Sequence, residues 1–221
     1  LLLRNRINEA AKATMLAYAT GSDLENLAAL LGVQKLVGES DDQLRQRVQL
    51  APESFTNAGS IGAYTFHTLS ASSNIKSVSV KSPNPGEVLV TILSKIENGT
   101  ASTELLDAVL EKLSFDDVRP LTDQVSVQSA EIINYSVEAV ITVYSGPSSA
   151  VVETEARAAL DNFLSERHSI EKVVALSGIY NALHVDGVKK VQLITPTSDI
   201  LTTDEQAAYC TNINLSTVVD A

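Results

Sequence analysis

The chain has 221 residues, with 16 Lys and Arg against 27 Asp and Glu, three His, one Cys, one Met and no Trp, for a formal net charge of −11. Hydrophobic residues make up 44% and charged residues 19%, a globular composition that excludes a disordered chain. The acidic balance argues against nucleic acid as a partner, because that affinity comes from Lys and Arg neutralising phosphates. A lone Cys210 makes no intramolecular disulfide, and no apolar run approaches the ~18 residues of a membrane span. The N-terminus lacks the charged, apolar and small-residue order of an export signal. Because Leu1 opens directly into residues that read as helix, the chain is expected to be a fragment with sequence upstream.

Leu3, Ile7, Ala10, Ala11, Thr14, Met15 and Tyr18 recur at three- and four-residue steps, which predicts one face of an amphipathic helix ending at Gly21. Ser22-Asp23-Leu24-Glu25 reads as a capping box for a second helix, with Gly32 as its stop. Ser40-Asp41-Asp42-Gln43 repeats the device before Leu44, Arg47, Val48 and Leu50, and Pro52 ends that helix. Residues 1–55 are thus expected to form a helical arm with little core of its own. The small residues Ala10, Ala11, Ala13, Ala17 and Ala19 permit close helix approach.

From Gly59 the period changes. A short helix over 60–71 precedes two strand-like runs, 75–80 and 88–93, separated by Pro83-Asn84-Pro85-Gly86. Leu106, Val109, Leu110 and Leu113 mark a helix. Val125 and Val127 with the alternating Val137, Ala139, Ile141 and Val143 read as a strand pair. Val152, Ala156, Leu160 and Phe163 mark another helix, and a short one over 179–184 leads to a strand over 188–194. The tail from Ser198 shows no clear period and is left as a strand or an extended arm.

Internal similarity is informative here. Gly62-Ala63-Tyr64, leading to Ile75-Lys76-Ser77-Val78, resembles Gly178-Ile179-Tyr180, leading to Val188-Lys189-Lys190-Val191. The run 88–92 followed by a helix likewise resembles 140–143 followed by a helix. The expected fold is therefore α+β: the helical arm, then two related α+β units over 56–122 and 123–197 with mainly antiparallel strands, and a tail over 198–221.

No active site assembles from the residue pattern. His67, His168 and His184 are far apart, without ligand spacing or a nearby partner carboxylate or thiol. The adjacent carboxylates Asp41-Asp42 and Asp116-Asp117 would diverge by about 100° on a helix, which suits helix N-termini and solvated turns better than catalysis. Cys210 has no neighbouring base. Nucleophile-elbow, Walker A and dinucleotide-binding patterns are missing from the sequence. Lys189-Lys190 reads as a solvated pair, and the glycosylation triplets at Asn98, Asn134 and Asn214 as chance matches. No catalytic, metal or cofactor residue is expected.

Several strings in order along the chain carry a resemblance. They are Arg6-x-Asn8-Glu9-Ala10-Ala11, Glu39-Ser40-Asp41-Asp42 with Leu44-Arg45-x-Arg47, Gln49-Leu50-Ala51-Pro52-Glu53, and Gly62-Ala63-Tyr64 with Phe66-His67. Further on come Ser82-Pro83 with Pro85-Gly86-Glu87-Val88, Asp117-Val118-Arg119-Pro120-Leu121-Thr122-Asp123, Tyr180 with Ala182-Leu183-His184-Val185, and Ala207-Ala208-Tyr209-Cys210. The series resembles the baseplate assembly protein J family of contractile-tailed bacteriophages. What the resemblance implies is a structural wedge protein of the tail baseplate that dimerises through helical elements and joins other wedge proteins. It would reside in the virion tail baseplate, after assembly in the host cytoplasm. The joining surface is expected on the first helix face, Leu3, Ile7, Ala10, Ala11, Thr14 and Tyr18. The alternatives are a baseplate-associated hydrolase, which needs a cleft with paired carboxylates, and a host-surface binding module, which needs long β-rich repeats.

Overall fold

The computed structural model describes residues 2–56, 59–115, 118–146 and 148–220. Backbone contacts divide the chain into two units, Leu1–Ser94 with Ala101–Ser129, and Lys95–Thr100 with Ala130–Ala221. The fold class is α+β, with helices beside two three-stranded sheets.

The first unit opens with helices α1 (Leu2–Ala13), α2 (Gly21–Ala29) and α3 (Asp41–Leu50), followed by a 3-10 segment, Ala51–Phe55. Helix α1 stops well before Gly21, because the Thr14 hydroxyl turns back to the Ala11 carbonyl at 2.9 Å and competes with the helical ladder. Gly21 instead begins α2, at φ +54°. The box expected at Ser22 does not form: Thr20 is the N-cap and gives no side-chain bond. The Gly21 amide donates to Asp41 Oδ2 at 2.7 Å, so a side chain of α3 satisfies the first turn of α2. The second box does form, with the Gln43 amide donating to Ser40 Oγ and the Ser40 amide donating to Gln43 Oε1.

The expectation of a core-poor arm holds only for α1. Leu24, Ala28, Val33, Leu44, Val48 and Ala51 form a buried cluster that joins α2 to α3. Beside it lies a buried ion pair, in which Arg47 Nε and Nη2 donate to the two Glu39 carboxylate oxygens at 2.6 and 2.8 Å. Nη2 also reaches the Gln34 carbonyl, Nη1 reaches Ser70 Oγ, and the Leu36 amide donates to Glu39. Every polar edge of the pair thus has a partner, the condition for burying two charges without a large penalty.

The sheet of this unit has the order β1 (Ile75–Lys81), β2 (Glu87–Ser94), β3 (Gln124–Ser129). The turn at Pro83–Gly86 makes β1 and β2 antiparallel. Strand β3 lies parallel to β2, a connection that requires a crossover, supplied by α5 (Thr103–Leu113). This corrects the reading of Val125 and Val127 as partners of 137–143: they pair with Val88 and Val90. Helix α4 (Ile61–Leu69), capped by Ser60 Oγ, precedes β1 and places the fully buried Tyr64 in the core with Ile75, Val90, Ile92, Val109 and Leu113. The Tyr64 hydroxyl donates to Asp123 at 2.8 Å. Burial and that carboxylate push its pKa above the usual tyrosine value.

The second unit has the sheet order β5 (Val188–Thr195), β4 (Glu131–Val143), β6 (Gln206–Val219), with β5 antiparallel and β6 parallel to β4. Helices α6 (Ser149–Arg167) and α7 (Leu176–Leu183) provide the rest of its core, in which Val152, Ala156, Leu160 and Leu164 make the buried stripe of α6. The tail without a clear period is the 14-residue β6, preceded by a loop. Each sheet therefore mixes one antiparallel and one parallel pair, where the sequence suggested mainly antiparallel strands.

The two sheets share a plan with a changed chain order. In both, a central strand (β2 or β4) has one antiparallel neighbour preceded by a short helix (α4-β1 or α7-β5) and one parallel neighbour (β3 or β6). The helix-strand element comes first in unit one and after the central strand and its helix in unit two. The repeated glycines have one role, close approach. A Cβ on Gly62 would lie 2.6 Å from Glu53 Cγ, and one on Gly178 would lie 2.4 Å from the Phe163 ring. The repeated tyrosines do not share one: Tyr64 is buried, whereas Tyr180 is 37% exposed.

The neighbours of the two glycines predict different outcomes. Phe163 packs on the core and Arg167 lies over its ring, so Gly178→Ala forces overpacking worth about 1–3 kcal/mol and exceeds the helix-propensity gain of ~1 kcal/mol. Glu53 is exposed and can turn its Cγ and Cδ aside, at the expense of its bond from Ser60 Oγ, although its Cβ at 3.0 Å cannot move with them, so Gly62→Ala is expected to cost less than Gly178→Ala. Urea unfolding of both variants checks this, and equal midpoints would refute it.

Candidate assembly surface

Helix α1 has no buried residue. Leu3 and Ile7 lie one turn apart, with exposures of 73% and 60%, and Ala10 and Ala11 continue the same face in the open. Thr14 and Tyr18 lie beyond the helix end, in the turn that follows, and both are exposed. The structure brings Ala10 and Tyr18 together: with Glu9, Lys12, Ala13 and Ala19 they line a shallow groove of about 360 Å³. Leu3 and Ile7 are outside that groove. The helix carries Arg4, Arg6 and Lys12 against Glu9 alone, a cationic element on a chain of net charge −11.

The base of this element is held by charge. Lys35 donates to Asp41 at 2.8 Å and lies 3.3 Å from Glu25. The hydrogen bond to Asp41 raises the Lys35 pKa, while Lys35 first and the Gly21 amide second hold the Asp41 carboxyl below its ordinary value. Asp42 pairs with Arg45 at 2.5 Å, and Arg45 also donates to the Leu16 and Ala19 carbonyls. Asp41 and Asp42 therefore act as helix-end and loop anchors. The pair Asp116-Asp117 lies outside the described residues.

The other candidates for chemistry are similarly occupied. His67 meets the Phe66 ring edge-on. His168 Nε2 lies 3.1 Å from the Asn98 carbonyl, with its ring beside Tyr209. His184 Nδ1 lies 3.3 Å from the Tyr180 carbonyl. Cys210 Sγ donates to the Asn212 carbonyl at 3.3 Å, and burial raises its pKa, the opposite of an activated thiol. Lys189 pairs with Asp220. Among the described residues, no group of three or more His, Cys, Asp or Glu side chains could hold a metal ion, and no helix is long and apolar enough to cross a membrane. The pair that sequence reasoning missed is Glu39 with Arg47: eight residues apart, it matches no helical ion-pair spacing.

Comparison with known proteins accounts for this distribution of features. The Baseplate J-like N-terminal domain matches residues 1–42, the Baseplate J-like central domain residues 56–129, and the Baseplate J-like protein C-terminal domain residues 135–216. The central match ends at the residue where the first structural unit ends. Baseplate protein J of Escherichia phage P2 is 39% identical over 232 residues, covering 98% of this chain and 77% of that protein. With three domains matched in order and that identity over nearly its whole length, the chain belongs to the Baseplate J-like family.

Proposed function

We propose that this chain is a structural component of the wedge of a contractile tail baseplate, without catalytic activity, and that the face of α1 is where it joins another copy or another wedge protein. The observation that carries the reading is an amphipathic helix with Leu3 and Ile7 in solvent and nothing buried. A 12-residue helix is marginal in water by itself, and burying each Leu or Ile is worth roughly 1.5–3 kcal/mol. A partner that covers this face supplies what the chain does not. The cations of α1 favour an acidic surface on that partner. Assembly would take place in the host cytoplasm before the protein enters the virion tail. Binding of nucleic acid forms no part of this role, in keeping with the charge of −11.

The test uses the double variant Leu3→Asp, Ile7→Asp, with mass measured by light scattering alone and with the other wedge proteins. Since both side chains are exposed, circular dichroism should be unchanged while association weakens at least tenfold. Undiminished assembly by a folded variant would remove α1 from the interface.

A further inference from the structure

We propose that the outer edge of β6, from Ile213 to Val219, pairs antiparallel with the same edge of a second copy, joining two three-stranded sheets into one of six. The observations concern the second unit alone and do not depend on the role of α1.

The strand itself carries no guard against pairing. Strand β6 is the outer strand of its sheet, runs for 14 residues, and contains no charged residue, proline or glycine. Solvent-facing edges are ordinarily guarded by charge, proline or shortness, because unpaired amides recruit other strands. This molecule uses that guard elsewhere: the outer strand β1 carries Lys76 and Lys81, and the outer strand β5 carries Lys189 and Lys190. Its other uncharged outer strand, β3, has only six residues. At the start of β6 the edge is covered, since the Glu171 amide donates to the Gln206 carbonyl and Ile170 bridges to Ala207. Past the register shift between Tyr135 and Ser136, no strand among the described residues pairs with the outer side.

The backbone directions follow from two bonds. The Asp220 amide donates to Val143 of β4, and alternation by two residues turns 214, 216 and 218 toward β4 as well. Ile213, Leu215, Thr217 and Val219 then present their amides and carbonyls outward. Consistent with this, the Ile213 carbonyl accepts from Arg157 Nη1 at 3.3 Å, a long bond from a half-exposed side chain that also pairs with Asp161, so pairing with another strand requires Arg157 to turn aside at that one carbonyl. The side chains divide in the same way. Ile213 and Leu215 pack on the core and Thr217 donates to Glu153, whereas Asn212, Asn214, Ser216 and Val218 are exposed.

A second copy fits this edge in a closed way. A twofold axis at Leu215 sets Leu215 opposite itself and Ile213 opposite Thr217, all outward-pointing, giving about six backbone hydrogen bonds. Apolar side chains stay on the helix-covered face, and Asn214 meets Ser216 on the polar one. The strand's own residues are neutral in a chain of net charge −11, and the two charged groups that reach it, Arg157 at Ile213 and Glu153 at Thr217, have opposite signs at positions that face each other across the axis. The outermost strands of the joined sheet are then the lysine-bearing β5 strands, which ends the pairing at two copies instead of a fibre.

The experiment measures mass by sedimentation of the 221-residue chain from micromolar to submillimolar concentration, for the parent and for two double variants at exposed positions. Asn214→Lys with Ser216→Lys sets Lys against Lys twice across the axis. Asn214→Lys with Ser216→Glu sets Lys against Glu twice. The parent is expected to approach twice 23.6 kDa, the first variant to dimerise at least tenfold more weakly, and the second as well as the parent. Placed in the Leu3→Asp, Ile7→Asp background, where the α1 face is disabled, the two β6 double variants should still differ at least tenfold, which separates this edge from α1. A parent that stays at 23.6 kDa throughout, or equal behaviour of the two lysine-containing variants, overturns the proposal.

Discussion

Replacing Arg47 with Met is expected to destabilise the protein by about 3–5 kcal/mol, the cost of leaving one charge of a buried pair without its partner. Glu39 would keep only the Leu36 amide, at a position where its side chain is 1% exposed. The loss should show as a lower urea midpoint, because the pair lies against the α2-α3 cluster that stabilises the base of α1. Adding Glu39→Leu to Arg47→Met should recover most of it, since two apolar side chains need no counter-charge. A double variant as unstable as the single one would assign the effect to lost packing by the Arg47 side chain and not to the uncompensated carboxylate.

Leu160→Ala is expected to cost about 2–5 kcal/mol through the cavity it opens. Leu160 is fully buried, one turn from Ala156 and Leu164 on the stripe of α6 that packs in the core of the second unit. Val151, on the same helix but 56% exposed, provides the comparison: Val151→Ala should stay within about 0.5 kcal/mol. Urea unfolding of the two variants tests the assignment of faces on α6, and similar losses for both would contradict it.

Where the signal was local, the sequence by itself determined the element. The Ser40 box, the turn at Pro83–Gly86 and the buried stripe of α6 follow from residues within one turn of each other. The apolar period of α1 was legible for the same reason, as were the repeated Gly-x-Tyr segments and the ordered strings shared with a family, whereas the exposure of that face was not. Tertiary structure alone decided what depends on distant partners. Val125 and Val127 alternate equally well beside β2 or β4, and only the crossover through α5 selects β2. Gly21 looked like a helix stop because a glycine tolerates positive φ at either end of a helix; the Asp41 carboxylate, 20 residues on, makes it a start. Glu39 and Arg47 are ordinary surface residues in the sequence and become an anchor only when α3, Gln34 and Ser70 converge. The edge of β6 is likewise invisible in the sequence, because whether an uncharged strand has one neighbour or two depends on which strands pair with its outer amides, and that is settled by the sheet and not by the strand.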